Sequence, residues 1–204
     1  MVNRRDLMIG LPLLLAGCKP EPYFAPSAGV GPYDPFPFWA NRPDRQSSTI
    51  RGRQEVDFSQ AFEPGTVVVD TAGRYLFHVL GNGRAARYPI GVGKEGLTFE
   101  GYAVVGRKAE WPAWYPTADM IRRDPERYRP HLAGIPGGPE SPLGARALYL
   151  YRDGKDTLFR IHGTNQPETV GTASSSGCIR MLNEDVIDLY SRVPIGAPVV
   201  VLQV

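Results

Sequence analysis

From about Phe62 onward, apolar and polar positions follow one another in the short runs that build β-strands. Thr66-Val67-Val68-Val69-Asp70 and residues 74–80 and 84–92 are the first three expected strands. Ala72-Gly73 and Gly81-Asn82-Gly83 supply the tight turns between them, so the three form a meander. Further strands are expected over 147–152 and 157–162, around a turn at Asp153-Gly154, and over 198–204. A helical period is clearest where Val186, Leu189, Tyr190 and Val193 share one face. Asn183 is placed to cap that helix, Glu184 and Asp185 occupy its first turn, and Pro194 ends it. Residues 107–144 keep neither period and mix Trp111, Trp114, Tyr115 and Tyr128 with charge, glycine and proline. An irregular insertion of that length reads as a lid or binding loop, with a short helix over 120–128 limited by Pro125. The expected domain, residues 61–204, is mainly β with one or two helices.

The preceding residues follow other rules. Arg4 and Arg5 stand before the apolar run 7–15, which is the charged start and short apolar core of an export signal over 1–17. The run falls short of the ~20 apolar residues that a membrane-spanning helix needs. Leu15-Ala16-Gly17-Cys18 resembles the lipobox of bacterial lipoproteins, which implies cleavage before Cys18 and lipid on its thiol. Arg4-Arg5 also resembles a twin-arginine signal. Residues 18–60 carry prolines at 20, 22, 26, 32, 35, 37 and 43, which interrupt any helix or ladder, so the segment reads as a tether. The expected location is the periplasm, with lipid holding the domain to a membrane of the bacterial envelope.

Composition narrows the function classes. With 23 basic and 21 acidic residues the net charge is +2, too little for a protein that works by neutralising nucleic-acid phosphates. The 23 glycines and 20 prolines argue against a helical bundle. The 2 cysteines first suggest a disulfide, but a lipidated Cys18 has its sulfur occupied and leaves Cys178 as a lone thiol in an oxidising compartment. Such a thiol is a candidate for chemistry. It lies in Ser174-Ser175-Ser176-Gly177-Cys178-Ile179-Arg180, where the amides of Gly177 and Cys178 can converge on an oxyanion. His162 ends an expected strand upstream and can take the thiol proton or hold it in an ion pair. Neither cofactor nor metal is expected, since His78 and His131 lie on other elements and a zinc site needs about four ligands. His78 is expected as a partly exposed strand residue and His131 as a solvent-facing one.

His162-Gly163-Thr164-Asn165 followed by Ser175-Ser176-Gly177-Cys178-Ile179-Arg180-Met181 resembles the active-site signature of the L,D-transpeptidases, the YkuD-type enzymes of bacterial peptidoglycan. Tyr88-Pro89-Ile90-Gly91-Val92-Gly93, Gly106-Arg107-Lys108, Trp111-Pro112 and Pro142-Leu143-Gly144-Ala145-Arg146 extend the resemblance in the block order of the proteobacterial members. It implies a β-sandwich-type catalytic domain with Cys178 as nucleophile and His162 as its base. In the family the cysteine attacks a tetrapeptide stem, expels D-alanine and passes the acyl group to an amine. The resemblance further implies oxyanion amides from Gly177 and Cys178, and a backbone carbonyl, most naturally that of Gly163, orienting His162. Arg180 is placed to bind a substrate carboxylate, with Thr164 and Asn165 shaping the loop beside substrate. Ser176 stands where many members carry a second histidine, so a positive charge is absent there. The expected partners are stem peptides, a membrane through the Cys18 lipid, and an envelope protein as one acceptor. Water as acceptor would give a carboxypeptidase, and a chain that keeps the groove without turnover would be a wall-binding lipoprotein.

Overall fold

The computed structural model describes residues 52–93, 99–174 and 179–203, all within one compact unit. Eleven strands form one sheet: β1 (Gln54–Asp57), β2 (Val67–Asp70), β3 (Tyr75–Gly81), β4 (Arg84–Pro89), β5 (Gly91–Gly93), β6 (Gly101–Glu110), β7 (Arg146–Arg152), β8 (Lys155–His162), β9 (Ala173–Ser174), β10 (Ile179–Arg180) and β11 (Pro198–Leu202). Among the described residues three α-helices accompany them, α1 (Ala118–Arg123), α2 (Pro125–Tyr128) and α3 (Asn183–Arg192). The fold is mainly β, with few helices.

Strand order is β1-β4-β3-β2-β11-β6-β7-β8-β10-β5-β9. β4 and β5 stand near opposite ends of that order, yet only Ile90 separates them in the chain. One ribbon therefore belongs to both ends, and the sheet must curl back on itself into two facing walls. The space between the walls holds the core. Val67 and Val69 of β2, Leu148 and Leu150 of β7, and Val186 and Leu189 of α3 meet there. The alternation of β2 sends Val68 to the other face, where Phe58, Val79 and Ala85 cover it. All three valines are buried, which is why this strand reads as a continuous apolar run.

The two-residue turns form where the sequence supplies residues that accept positive φ. Asn82 and Gly83 lie at φ 52° and 71° between β3 and β4, and Asp153 and Gly154 at 51° and 73° between β7 and β8. Three expectations change. β6 runs to Glu110, so Arg107 to Glu110 belong to a central strand and the irregular insertion begins at Trp111. β1 lies inside the segment read as tether and pairs with β4 from Gln54↔Arg87 to Asp57↔Arg84. His78 is buried, not partly exposed, because its β3 position faces α3 and its charged neighbours rather than solvent. The expected export signal over 1–17, the lipid site at Cys18 and most of the tether lie outside the described residues.

Candidate active site

Register decides which side chains share a face. β8 pairs with β7 antiparallel at Ala147↔His162 and with β10 parallel at Arg180↔His162, while β7 meets β6 at Ala109↔Ala147. Ala109, Ala147, His162 and Arg180 thus form one rung across four strands, on the face away from α3. Ala147 is fully buried, and Ala109 leaves open floor on the cavity side of this rung. Above it the insertion, with α1 and α2, encloses a cavity of about 990 Å³ whose lining includes His162, Arg180, Asn165, Trp114 and His131.

His162 is 4% exposed, and its Nδ1 lies 2.6 Å from the carbonyl oxygen of Gly163. A carbonyl only accepts, so Nδ1 carries the hydrogen and Nε2 keeps its lone pair. Burial, then the positive charge of Arg180, push the His162 pKa down to about 4, against a smaller opposite effect from the Gly163 carbonyl. At neutral pH the ring is therefore uncharged and able to take a proton at Nε2. Arg180 is 8% exposed and donates from Nη1 to Thr169 Oγ1 at 3.2 Å.

The loop after His162 is held from a distance. Asn183 is not the cap of α3, whose N-cap is Leu182 without a side-chain bond. Its Oδ1 instead accepts from Ala145 N at 2.9 Å and Thr164 N at 3.1 Å, and its Nδ2 donates to Thr164 O at 3.0 Å. A Cβ on Gly163 would stand 2.2 Å from that Oδ1, so the glycine is what lets the amide approach. Sequence reasoning missed this residue because its partners are far away in the chain; an Asn directly before two acids looks like a cap. Thr164 accepts from Gln166 N at 3.0 Å, and Asn165 donates to Glu140 O at 3.0 Å, tying the loop to the insertion. Tyr102, by contrast, is 73% exposed on β6 and does not line the cavity.

Cys178, Gly177 and Ser176 lie outside the described residues. The described chain resumes at Ile179, which pairs with Ile161 of β8 and Val92 of β5. Among the described residues no group of three or more histidines, cysteines or carboxylates is placed to hold a metal.

Residues 64–201 match the model of the YkuD family, the L,D-transpeptidase catalytic domain. A Salmonella typhimurium protein described as probable L,D-transpeptidase ErfK/SrfK is 31% identical over 78% of this chain and 50% of its own. The Escherichia coli protein described as probable L,D-transpeptidase YbiS is 33% identical over 72% of this chain and 47% of its own. The chain thus spans about half the length of these curated relatives. A crystal structure from Brucella melitensis, described as a probable carnitine operon oxidoreductase CaiA, is 50% identical with a TM-score of 0.54, over 77% of this chain and 96% of that one. The ordered signature, the curled sheet and the family match over most of its domain make this chain a member of the YkuD family of L,D-transpeptidase catalytic domains.

Proposed function

We propose that this protein is a peptidoglycan L,D-transpeptidase working by cysteine acyl transfer. The observation that carries the reading is His162: buried, uncharged at neutral pH, with Nδ1 committed to Gly163 and Nε2 left to act as base. Cys178 is one peptide unit from Ile179, whose partner Ile161 directly precedes that histidine. In the first half-reaction His162 takes the thiol proton and the sulfur attacks the carbonyl at the L-centre of a tetrapeptide stem. The amides of Gly177 and Cys178 hold the oxyanion. The carbon–nitrogen bond to D-alanine breaks, the amine leaves with the proton from His162, and a thioester remains. In the second half an amine attacks the thioester, His162 removes its proton, and the thiol is released as the new amide forms. Arg180 lies in the rung of His162, where its charge favours thiolate and oxyanion over a cationic imidazole.

The acceptor is a stem amine in this reading, and the expected setting is the periplasm with the chain held by lipid at Cys18. The name of the Brucella structure describes another activity, but the residues that carry this reading are the chain's own signature, which that name does not address. The test is intact mass of the purified protein after exposure to a carbapenem, followed by incubation with disaccharide tetrapeptide. A covalent adduct lost in Cys178→Ala and a cross-linked dimer with released D-alanine are expected. No adduct on the wild type sinks the nucleophile, and hydrolysed tripeptide alone turns the enzyme into a carboxypeptidase.

A further inference from the structure

A second rung runs across the cavity floor, two residues along the strands from that of His162. Arg107 of β6 pairs with Tyr149 of β7, and Tyr149 with Arg160 of β8. The Tyr149 ring is 6% exposed because guanidinium groups cover it, that of Arg107 at 3.4 Å and that of Arg160 at 4.4 Å from the centroid. All three residues line the cavity.

Arg107 stands on this face because of a bulge. β6 pairs Val105 with Leu150 and then Arg107 with Tyr149, so Gly106 is an extra residue in the ladder. Without it, strict alternation would put Arg107 on the face of Val105, inside the apolar core. A Cβ at 106 would lie 2.4 Å from Tyr151 ring atoms, which explains the glycine. The next residue, Lys108, turns the other way and donates to the carbonyls of Tyr190 at 2.5 Å and Val193 at 2.8 Å, at the end of α3.

The cationic neighbours differ in what they have left to offer. Arg160 is clamped by Asp156 through two bonds of 2.8 and 3.0 Å, and Arg122 is paired with Asp119. Arg180 is bonded to Thr169. Arg107 has the Tyr149 ring and no carboxylate or carbonyl partner among the described residues, although it is half-buried. Its fork of donors, held over an aromatic ring, is prepared for a planar anion.

We propose that Arg107 fixes a carboxylate of the acyl donor, at a position on the stem peptide distal to the attacked carbonyl, and so selects anionic stems. The proposal rests on the acyl-transfer reading above. Two strand spacings across and two residues along put the Cα atoms of Arg107 and His162 about 12 Å apart. An extended peptide covers about 3.4 Å per residue, so that span lies within the length of a tetrapeptide.

The experiment compares kcat/KM for two donors, disaccharide tetrapeptide with its distal carboxylate free and the same compound with that group as carboxamide, in the full chain and in Arg107→Gln and Arg107→Lys. The wild type prefers the carboxylate. Arg107→Gln is expected to lower the carboxylate-over-carboxamide preference roughly 10- to 100-fold, the range of a lost charged hydrogen bond, and Arg107→Lys to lower it less. Carbapenem adduct formation on each variant establishes that its nucleophile is intact. A preference unchanged in Arg107→Gln, or a loss equal on both donors, overturns the assignment while leaving the reaction standing. Absence of turnover of either donor by the wild type overturns the acyl-transfer reading, and this assignment with it.

Discussion

The pKa of His162 is set by burial and three neighbours, and the sign of each is testable. Burial, Arg180 and Arg160 favour the neutral ring, Gly163 the charged one. Because the pKa is pushed down to about 4, the acid limb of kcat/KM should fall below about pH 5 rather than near the ordinary 6.5. Arg180→Met removes a positive charge beside the ring and is expected to move that midpoint upward, whatever it does to the height of the profile. A pH–rate series on both proteins with one donor measures the two midpoints; an acid limb near 6.5 in the wild type would contradict a buried neutral base. The motif made His162 and Gly163 legible in the sequence, since both sit in the signature itself. Burial and the closeness of Arg180 were not legible, because they depend on which strands lie side by side.

At the scale of elements, α3 serves two tasks that its own sequence separates poorly. Its apolar face closes the core, and its first residue, Asn183, spans three backbone groups around the His162 loop. Asn183→Ala leaves two amides and a carbonyl without that partner, which should cost about 1–3 kcal/mol of stability and lower kcat by more than KM changes. Asn183→Asp keeps the acceptor for both amides and should recover part of the rate; urea unfolding and steady-state kinetics on the two variants separate the effects. The hairpins at Asn82-Gly83 and Asp153-Gly154 were readable because few residues tolerate their φ values. β6 was not, since the Gly106 bulge breaks its period of two midway and Arg107 and Lys108 beyond it look like loop. β1 was hidden for another reason: a short edge strand with only Val56 as an apolar residue gives little pattern to read.

For the whole molecule, the segment entering the sheet is fastened by a buried carboxylate. Asp185 Oδ1 accepts from Arg53 N at 3.0 Å, while its Oδ2 is buried without a hydrogen-bond partner. Burial, with Glu184 and Asp188 nearby, raises its pKa from 3.8 to about 7, against the effect of Arg53. A raised acid holds its proton in the folded state while the unfolded chain gives it up, so this group's contribution is complete below about pH 4 and is lost as pH rises through about 7. His78 and His162, with lowered pKa values, act in the opposite direction: their contribution is present above about 6.5 and fades as the solution becomes acid. Asp185→Asn should therefore match the wild type near pH 4 and exceed it at pH 8, by at most a few kcal/mol at about 1.4 kcal/mol per pKa unit. Denaturant unfolding of both proteins at the two pH values isolates the acid, because the histidines are common to both; a difference that does not grow with pH would sink the account.

The ribbon of β4 and β5 also limits how this family member can diverge. Ile90 is fully buried between a strand that pairs with β3 and one that pairs with β10 beside the signature. A single residue added there would shift the register of one wall against the other and reverse the faces of every side chain beyond it. Exposed hairpin tips such as Asp153-Gly154 carry no such restriction, since an added residue there lengthens a loop and leaves both ladders in step. Insertions and deletions among relatives should thus collect at the tips and in the 111–145 segment, while the count of residues from Arg84 to Gly93 stays constant even where their identities drift.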